Sequence, residues 1–229
     1  MSLYAIGDLH LALGAPEKNM EVFGGRWQGY VEKLRRGFSL LTEEDVCVIC
    51  GDFCWAMDLP AALPDFQFLH SLPGKKLLVK GNHDYWWTTA NKMNSFFRDN
   101  GLDSLALLHN SSVEWNGLAL CGTRGWFFEE ETGTAHDEKI LRREIGRLDT
   151  SLRLGEDREK LVFLHYPPLY QQYTCPGILE KLGEYGVREC YYGHIHGNGC
   201  RSAFQGEREG VHYRLISADY LDFFPLKIR

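Results

Sequence analysis

The chain has 229 residues, 44% apolar and 24% charged, and its 25 Lys and Arg against 31 Asp and Glu leave a formal charge of −6. A chain of that size buries a full core without disulfides or a partner subunit, and its composition excludes disorder. The acidic balance argues against a protein that grips long nucleic acid by neutralising phosphates with Lys and Arg.

No run approaches the roughly 18 apolar residues that span a bilayer. Asp8 and His10 interrupt the only early apolar stretch, and no basic segment precedes it, so no secretory signal is expected. The seven cysteines are scattered and odd in number. They read as reduced thiols, and the expected compartment is the cytoplasm.

Short β-type runs alternate with helical stretches, which predicts one α/β domain over residues 1–229. Residues 3–6 read as the first strand, ending at Gly7-Asp8. Residues 17–38 are predicted helical, since Val22, Phe23, Trp27, Tyr30, Val31, Leu34 and Phe38 fall near helical spacing, with Gly24-Gly25 as a weak point. Strands are predicted at 46–50, ending at Gly51-Asp52, and at 76–79, ending at Gly81-Asn82. Helices are predicted at 61–72 and 88–100, stopped by Pro73-Gly74 and Gly101. Two short strands follow at 104–108 and 118–121, then an amphipathic helix at 137–154 whose face is set by Ile140, Leu141, Glu144, Ile145, Leu148 and Leu152. The remaining expectations are a strand at 161–164 ending at His165, a helix at 178–185, a strand at 189–192 ending at Gly193-His194, and an edge strand or hairpin arm at 210–218.

Five of these runs end in clusters of Asp, Asn and His: Asp8-Leu9-His10, Gly51-Asp52, Gly81-Asn82-His83-Asp84, His165 and Gly193-His194-Ile195-His196. Ligands of open α/β sheets sit outside the carboxyl ends of strands. Imidazole and carboxylate suit divalent transition metals. Glycine before Asp8, Asp52, Asn82 and His194 fits sharp turns at strand ends.

The ordered set resembles the calcineurin-like metallophosphoesterase superfamily, defined by Asp-x-His, Gly-Asp, Gly-Asn-His-Asp or -Glu, a lone His, and Gly-His-x-His. All five elements occur here in order, from Asp8 to His196. Tyr85-Trp86-Trp87 after the third motif is similar to a bacterial subgroup of predicted phosphohydrolases. The resemblance implies a sandwich of two mixed β-sheets flanked by helices, the metallo-dependent phosphatase fold. It implies two divalent ions, with Asp8, His10 and His196 at the first, Asn82, His165 and His194 at the second, and Asp52 bridging them. A water shared by the ions would be the nucleophile on phosphorus. His83 would contact a phosphoryl oxygen or protonate the leaving group, with Asp84 orienting it. Oxygen and nitrogen ligands lean toward Mn, with Fe or Zn as the other candidates.

Other features carry two readings each. Cys47 and Cys50 have redox or zinc spacing, but residues three apart on a strand face opposite sides, so a pair of buried small residues is the better reading. Cys54 is near Asp52, yet the implied ligand shell is already full. Tyr85, Trp86 and Trp87 are substrate wall or core. Arg124 holds a substrate phosphate or is an ordinary surface Arg, and Trp126, Trp55 and Tyr166 are further wall candidates. His70, His109, His136 and His212 read as packed or surface residues, and the charged run 129–131 as a solvated loop. The expected function is hydrolysis of a small phosphoester. The rivals are a nucleotide or nucleic-acid phosphodiesterase, with aromatics stacking bases, and an inert binding scaffold of the same fold.

Overall fold

A computed structural model describes residues 1–126 and 135–229. The predicted charged run 129–131 lies outside them. The fold is mixed α/β with two large mixed sheets flanked by helices. The chain divides into two compact units, Met1–Leu107 with Ile216–Arg229, and Leu108–Leu215.

In the first unit, β1 (Leu3–Ile6), β2 (Val46–Cys50), β3 (Lys75–Val79) and β4 (Leu105–Leu107) run parallel. The short β13 (Leu226–Lys227) closes the edge antiparallel to β1. β2 is buried at every residue, as expected of a parallel strand covered on both faces. The register sets Ile6 beside Ile49 and Cys50 beside Val79, so the segments that leave β1, β2 and β3 emerge side by side. Helices α1 (Tyr30–Phe38), α2 (Leu59–Ser71) and α3 (Ala90–Asp99) share this unit's core through Tyr30, Leu34, Phe66, Leu69, Met93 and Phe97.

The helix predicted over 17–38 forms only in its second half. Three 3₁₀ turns, Pro16–Lys18, Met20–Phe23 and Gly25–Trp27, replace the first. The cause is local, because Gly24, Gly25 and Gly29 all adopt positive φ, which an α-helix does not contain.

The second unit holds six strands in the order β11 (Gly206–Arg208), β12 (Val211–Leu215), β10 (Glu189–Tyr192), β7 (Lys160–Leu164), β6 (Leu118–Thr123) and β5 (Ser112–Trp115). The inner four are parallel and the two outer ones antiparallel. Of the two readings of the stretch 210–218, edge strand or hairpin arm, the structure shows the second: β12 pairs antiparallel with β11, which takes the edge, so β12 itself is interior. A two-stranded hairpin of β8 (Leu169–Tyr170) and β9 (Tyr173–Thr174) also belongs to this unit, as do α4 (Ala135–Leu154) and α5 (Pro176–Glu184), whose Leu148, Leu152, Ile178 and Leu182 enter its core.

All seven cysteines are buried and unbridged. Burial pushes the thiols of Cys47, Cys54, Cys121, Cys175 and Cys190 up from their usual range. Among the described residues, no helix is long and apolar enough to cross a membrane.

Candidate metal and phosphate site

Three of the five polar clusters leave neighbouring parallel strands of the first unit. Backbone bonds bind them together: the amide of Asp8 donates to Gly51 at 2.9 Å, that of His10 to Asp52 at 2.9 Å, and that of Leu11 to Phe53 at 2.9 Å. Asp8, His10 and Asp52 are buried. His10 Nε2 stands 3.8 Å from Asp52 Oδ2, and the donor atoms of Asp8 and His10 lie within 4.8 Å of each other.

Their backbones are strained. Asp8 has φ 58°, His10 45° and Asp52 49°, in the left-handed region that non-glycine residues seldom occupy. Gly81 explains part of the construction, because a Cβ there would stand 2.1 Å from both the amide nitrogen and Oδ1 of Asp52. Asp52 Oδ1 then accepts the amide of His83 at 2.8 Å, which fixes where the third motif begins.

Asp84 has a different role from the one expected. It does not pair with the His83 ring. Its carboxylate accepts the amides of Gly81 at 2.7 Å, Phe53 at 2.8 Å and Asp52 at 3.0 Å, together with the Trp86 indole N–H at 3.1 Å. Burial and then the charge of Asp52 push this carboxyl up to about 7, while the backbone donors pull the other way. Asp84 thus sews the β2 and β3 ends together. What stands at His83 Nδ1 is the Tyr85 hydroxyl, 3.2 Å away.

Trp86, expected among the substrate contacts, is a core residue, 2% exposed and packed edge-on to Phe53 and Phe66. Tyr85 is 50% exposed and open to a ligand. Trp55 matters more than its sequence position suggested. Its ring stacks on His10 at 4.9 Å and leans on His83 at 4.6 Å, so one indole steadies a candidate ligand and a candidate acid.

The second unit presents its own strand ends. His165 follows β7 and His194 follows the adjacent parallel β10. Their rings are 5.1 Å apart, edge to face, and their donor atoms lie within 4.8 Å of each other. His165 is fully buried, His194 and His196 half-buried, and His194 too has positive φ, 70°. Tyr166 packs on His194 at 4.3 Å and on Trp126 at 5.4 Å. Arg124 accepts the amides of His165 and Tyr166 on its carbonyl, at 3.2 and 2.8 Å.

Cys54 is buried, and burial, followed by the nearby Asp65 and Asp84 carboxylates, pushes its thiol well above its usual range, which disfavours the thiolate a metal would need. The thiols of Cys47 and Cys50 are buried in β2, as the strand reading required.

Buried carboxylates beside a buried imidazole, with Asp8, His10 and Asp52 all on strained backbone, suit a divalent cation. Burying carboxylates and aiming them together is costly without a counter-charge, and oxygen and nitrogen donors of this kind bind hard to borderline ions. A family model for calcineurin-like phosphoesterases matches residues 1–198.

The chain belongs to the calcineurin-like phosphoesterase family.

Solved structures of similar fold include the phosphopantetheinyl hydrolase of Mycobacterium tuberculosis, 14% identical, with a TM-score of 0.63, covering 99% of this chain and 95% of that one. A protein of unknown function from Aquifex aeolicus is 17% identical, with a TM-score of 0.53 and the same two coverages. A Thermus thermophilus protein is 13% identical, with a TM-score of 0.54, covering 92% of this chain and 86% of that one. At these identities the likeness establishes the fold. No curated protein sequence matches the chain.

Proposed function

We propose that this family member hydrolyses a small phosphoester with two divalent ions, Mn foremost, held by Asp8, His10, Asp52, Asn82, His165, His194 and His196. The observation that carries the reading is that four of these seven, Asp8, His10, Asp52 and His194, sit in left-handed backbone at the ends of parallel strands. Strain of order 1–3 kcal/mol per residue persists where function holds it in place. When bound, such ions supply charge neutralisation at the phosphoryl oxygens and an activated water.

The chain's own residues do the rest. Asp52, with one oxygen engaged by the His83 amide, directs its other oxygen, 3.8 Å from His10, at the ligand cluster. His83 is steadied by Trp55 and by the Tyr85 hydroxyl at Nδ1, which leaves Nε2 to contact a phosphoryl oxygen or give a proton to the leaving group. Asp84 supports that geometry through the backbone. Seven unbridged cysteines support a reducing compartment, with the cytoplasm proposed.

The test is hydrolysis of p-nitrophenyl phosphate and bis(p-nitrophenyl) phosphate by chelator-stripped protein with Mn²⁺, Zn²⁺ or Fe²⁺ restored. We expect metal-dependent turnover that Asp52→Asn abolishes and His83→Ala lowers by about 10²–10⁴-fold with the metals retained. The better substrate assigns monoesterase or diesterase. Bound ions without turnover of either compound would sink the reading.

A further inference from the structure

Arg124 stands where β6 ends, and its surroundings in the second unit are built with care. The side chain is 17% exposed. Its Nη2 donates to Glu144 Oε1 at 3.2 Å, and its guanidinium lies over the Trp126 ring, 4.8 Å from the centroid. Glu144 is fully buried in the middle of α4. It also accepts the Thr123 hydroxyl at 2.8 Å and Arg147 Nη1 at 2.6 Å.

Among the described residues, two guanidinium groups therefore share one carboxylate, that of Glu144. A guanidinium carries five N–H donors. Among the described residues only Nη2 of Arg124 is engaged, and its Nε is buried without a partner. Buried donors are ordinarily satisfied. A guanidinium held on two sides, partly exposed and with Nη1 engaged by no described residue, can receive an anion at that edge. Its planar fork suits a carboxylate or a phosphate.

We infer that Arg124, positioned by Glu144 and Trp126, holds an anionic group that the substrate carries in addition to the ester being cut. The inference rests on the proposed hydrolysis, in which the ions already neutralise the phosphoryl group under attack. It narrows the substrate class to phosphoesters with a second phosphate or a carboxylate. Arg147, 40% exposed, continues the positive charge from the buried Glu144 to the helix surface. Glu144 and Trp126 act through Arg124 and are positioning residues.

Two readouts test this. In the first, chelator-treated protein is titrated with inorganic phosphate and its melting temperature followed. We expect a saturable rise in wild type, a weaker one in Arg124→Lys and none in Arg124→Ala. In the second, Mn²⁺-loaded protein is given phenyl phosphate, its 3- and 4-carboxy derivatives, and 1,3- and 1,4-phenylene bisphosphate. We expect wild type to prefer a doubly anionic compound by at least tenfold in kcat/KM, and Arg124→Ala to remove that preference through KM. Glu144→Asp, which keeps the charge but withdraws it by one methylene, lowers the same ratio through KM rather than kcat. The preferred derivative tells carboxylate from phosphate. Equal losses on phenyl phosphate and on its derivatives would put Arg124 on the ester phosphoryl group and overturn the inference, as would a phosphate titration that Arg124→Ala leaves intact. Failure of every compound to turn over sinks the hydrolase reading alone, because the titration does not depend on hydrolysis.

Discussion

A single hydrogen atom at Gly81 keeps Asp52 where it is. An alanine Cβ would meet the Asp52 amide nitrogen and carboxylate at 2.1 Å and its Cα at 2.9 Å. These include backbone contacts that no rotamer change relieves. Gly81→Ala is therefore expected to weaken Mn²⁺ binding in calorimetry and to lower turnover at least as far as a ligand substitution does, with a stability loss of about 1–3 kcal/mol. Sequence adjacency misleads at the neighbouring position. Asp84 follows His83, which suggests a carboxylate–imidazole pair, but its carboxylate turns to three backbone amides, two of them more than 30 residues earlier. No local pattern encodes such a reach. Lys76 is another buried oddity, with its ammonium donating to the Leu72 carbonyl and its pKa pushed down to about 8 by burial. Its charged form is the one disfavoured by folding. The cost is therefore fully present below about pH 8 and fades as pH rises toward the unfolded value near 10.4, at about 1.4 kcal/mol per unit. The stability advantage of Lys76→Met over wild type in urea melts is expected to be largest at pH 7 and to shrink toward pH 10.

Helix α2 stabilises the first motif from behind. Asp65, buried on that helix, accepts the amides of Leu13 at 2.7 Å and Gly14 at 3.2 Å, three and four residues past His10. Gly14 allows the approach, since a Cβ there would stand 1.9 Å from the Ala61 carbonyl. Asp65→Ala leaves two inward donors unpaired, and about 1–3 kcal/mol is expected for each. Asp65→Asn, which keeps one acceptor, should lose less. Guanidinium melts measure both, and Mn²⁺ titration should show weaker binding in the alanine variant as the Asp8–His10 segment loosens. The strands β1, β2, β3, β7 and β10 are legible in the sequence because each apolar run stops within two residues of a Gly or His, whereas β5, at 112–115, is not an apolar run and goes unanticipated. The first half of the helix expected at α1 is illegible because apolar spacing persists through Gly24, Gly25 and Gly29, whose positive φ the spacing does not register. The hairpin of β8 and β9 has two residues per strand, too few for any period to show. Glu144 is recognisable as part of the α4 face, but its ties to Thr123 and Arg124, about 20 residues away, belong to tertiary structure. Trp55 lies three residues past Asp52 in a segment without periodicity, so its place between two imidazoles is equally hidden.

Across the whole chain, the large sheets of the two units share one arrangement: a core of parallel strands with chemistry-bearing residues at their carboxyl ends, and antiparallel strands only at edges, one in the first unit and two in the second. That repetition makes the ligand set readable as ordered motifs, since each motif is a strand and the turn that leaves it. Which side chains support the motifs is not readable, because support comes from helices and from backbone donors distant in sequence. The burial of the thiols has one more consequence. Cys47, Cys50 and Cys54 lie in the first unit, and Cys121, Cys175, Cys190 and Cys200 in the second. Alkylating reagents attack exposed thiolate, and a native chain offers them almost none. Each half therefore carries a set of silent reporters that become reactive only when that half opens, so pulsed alkylation read peptide by peptide would act as two independent clocks on the breathing of one molecule.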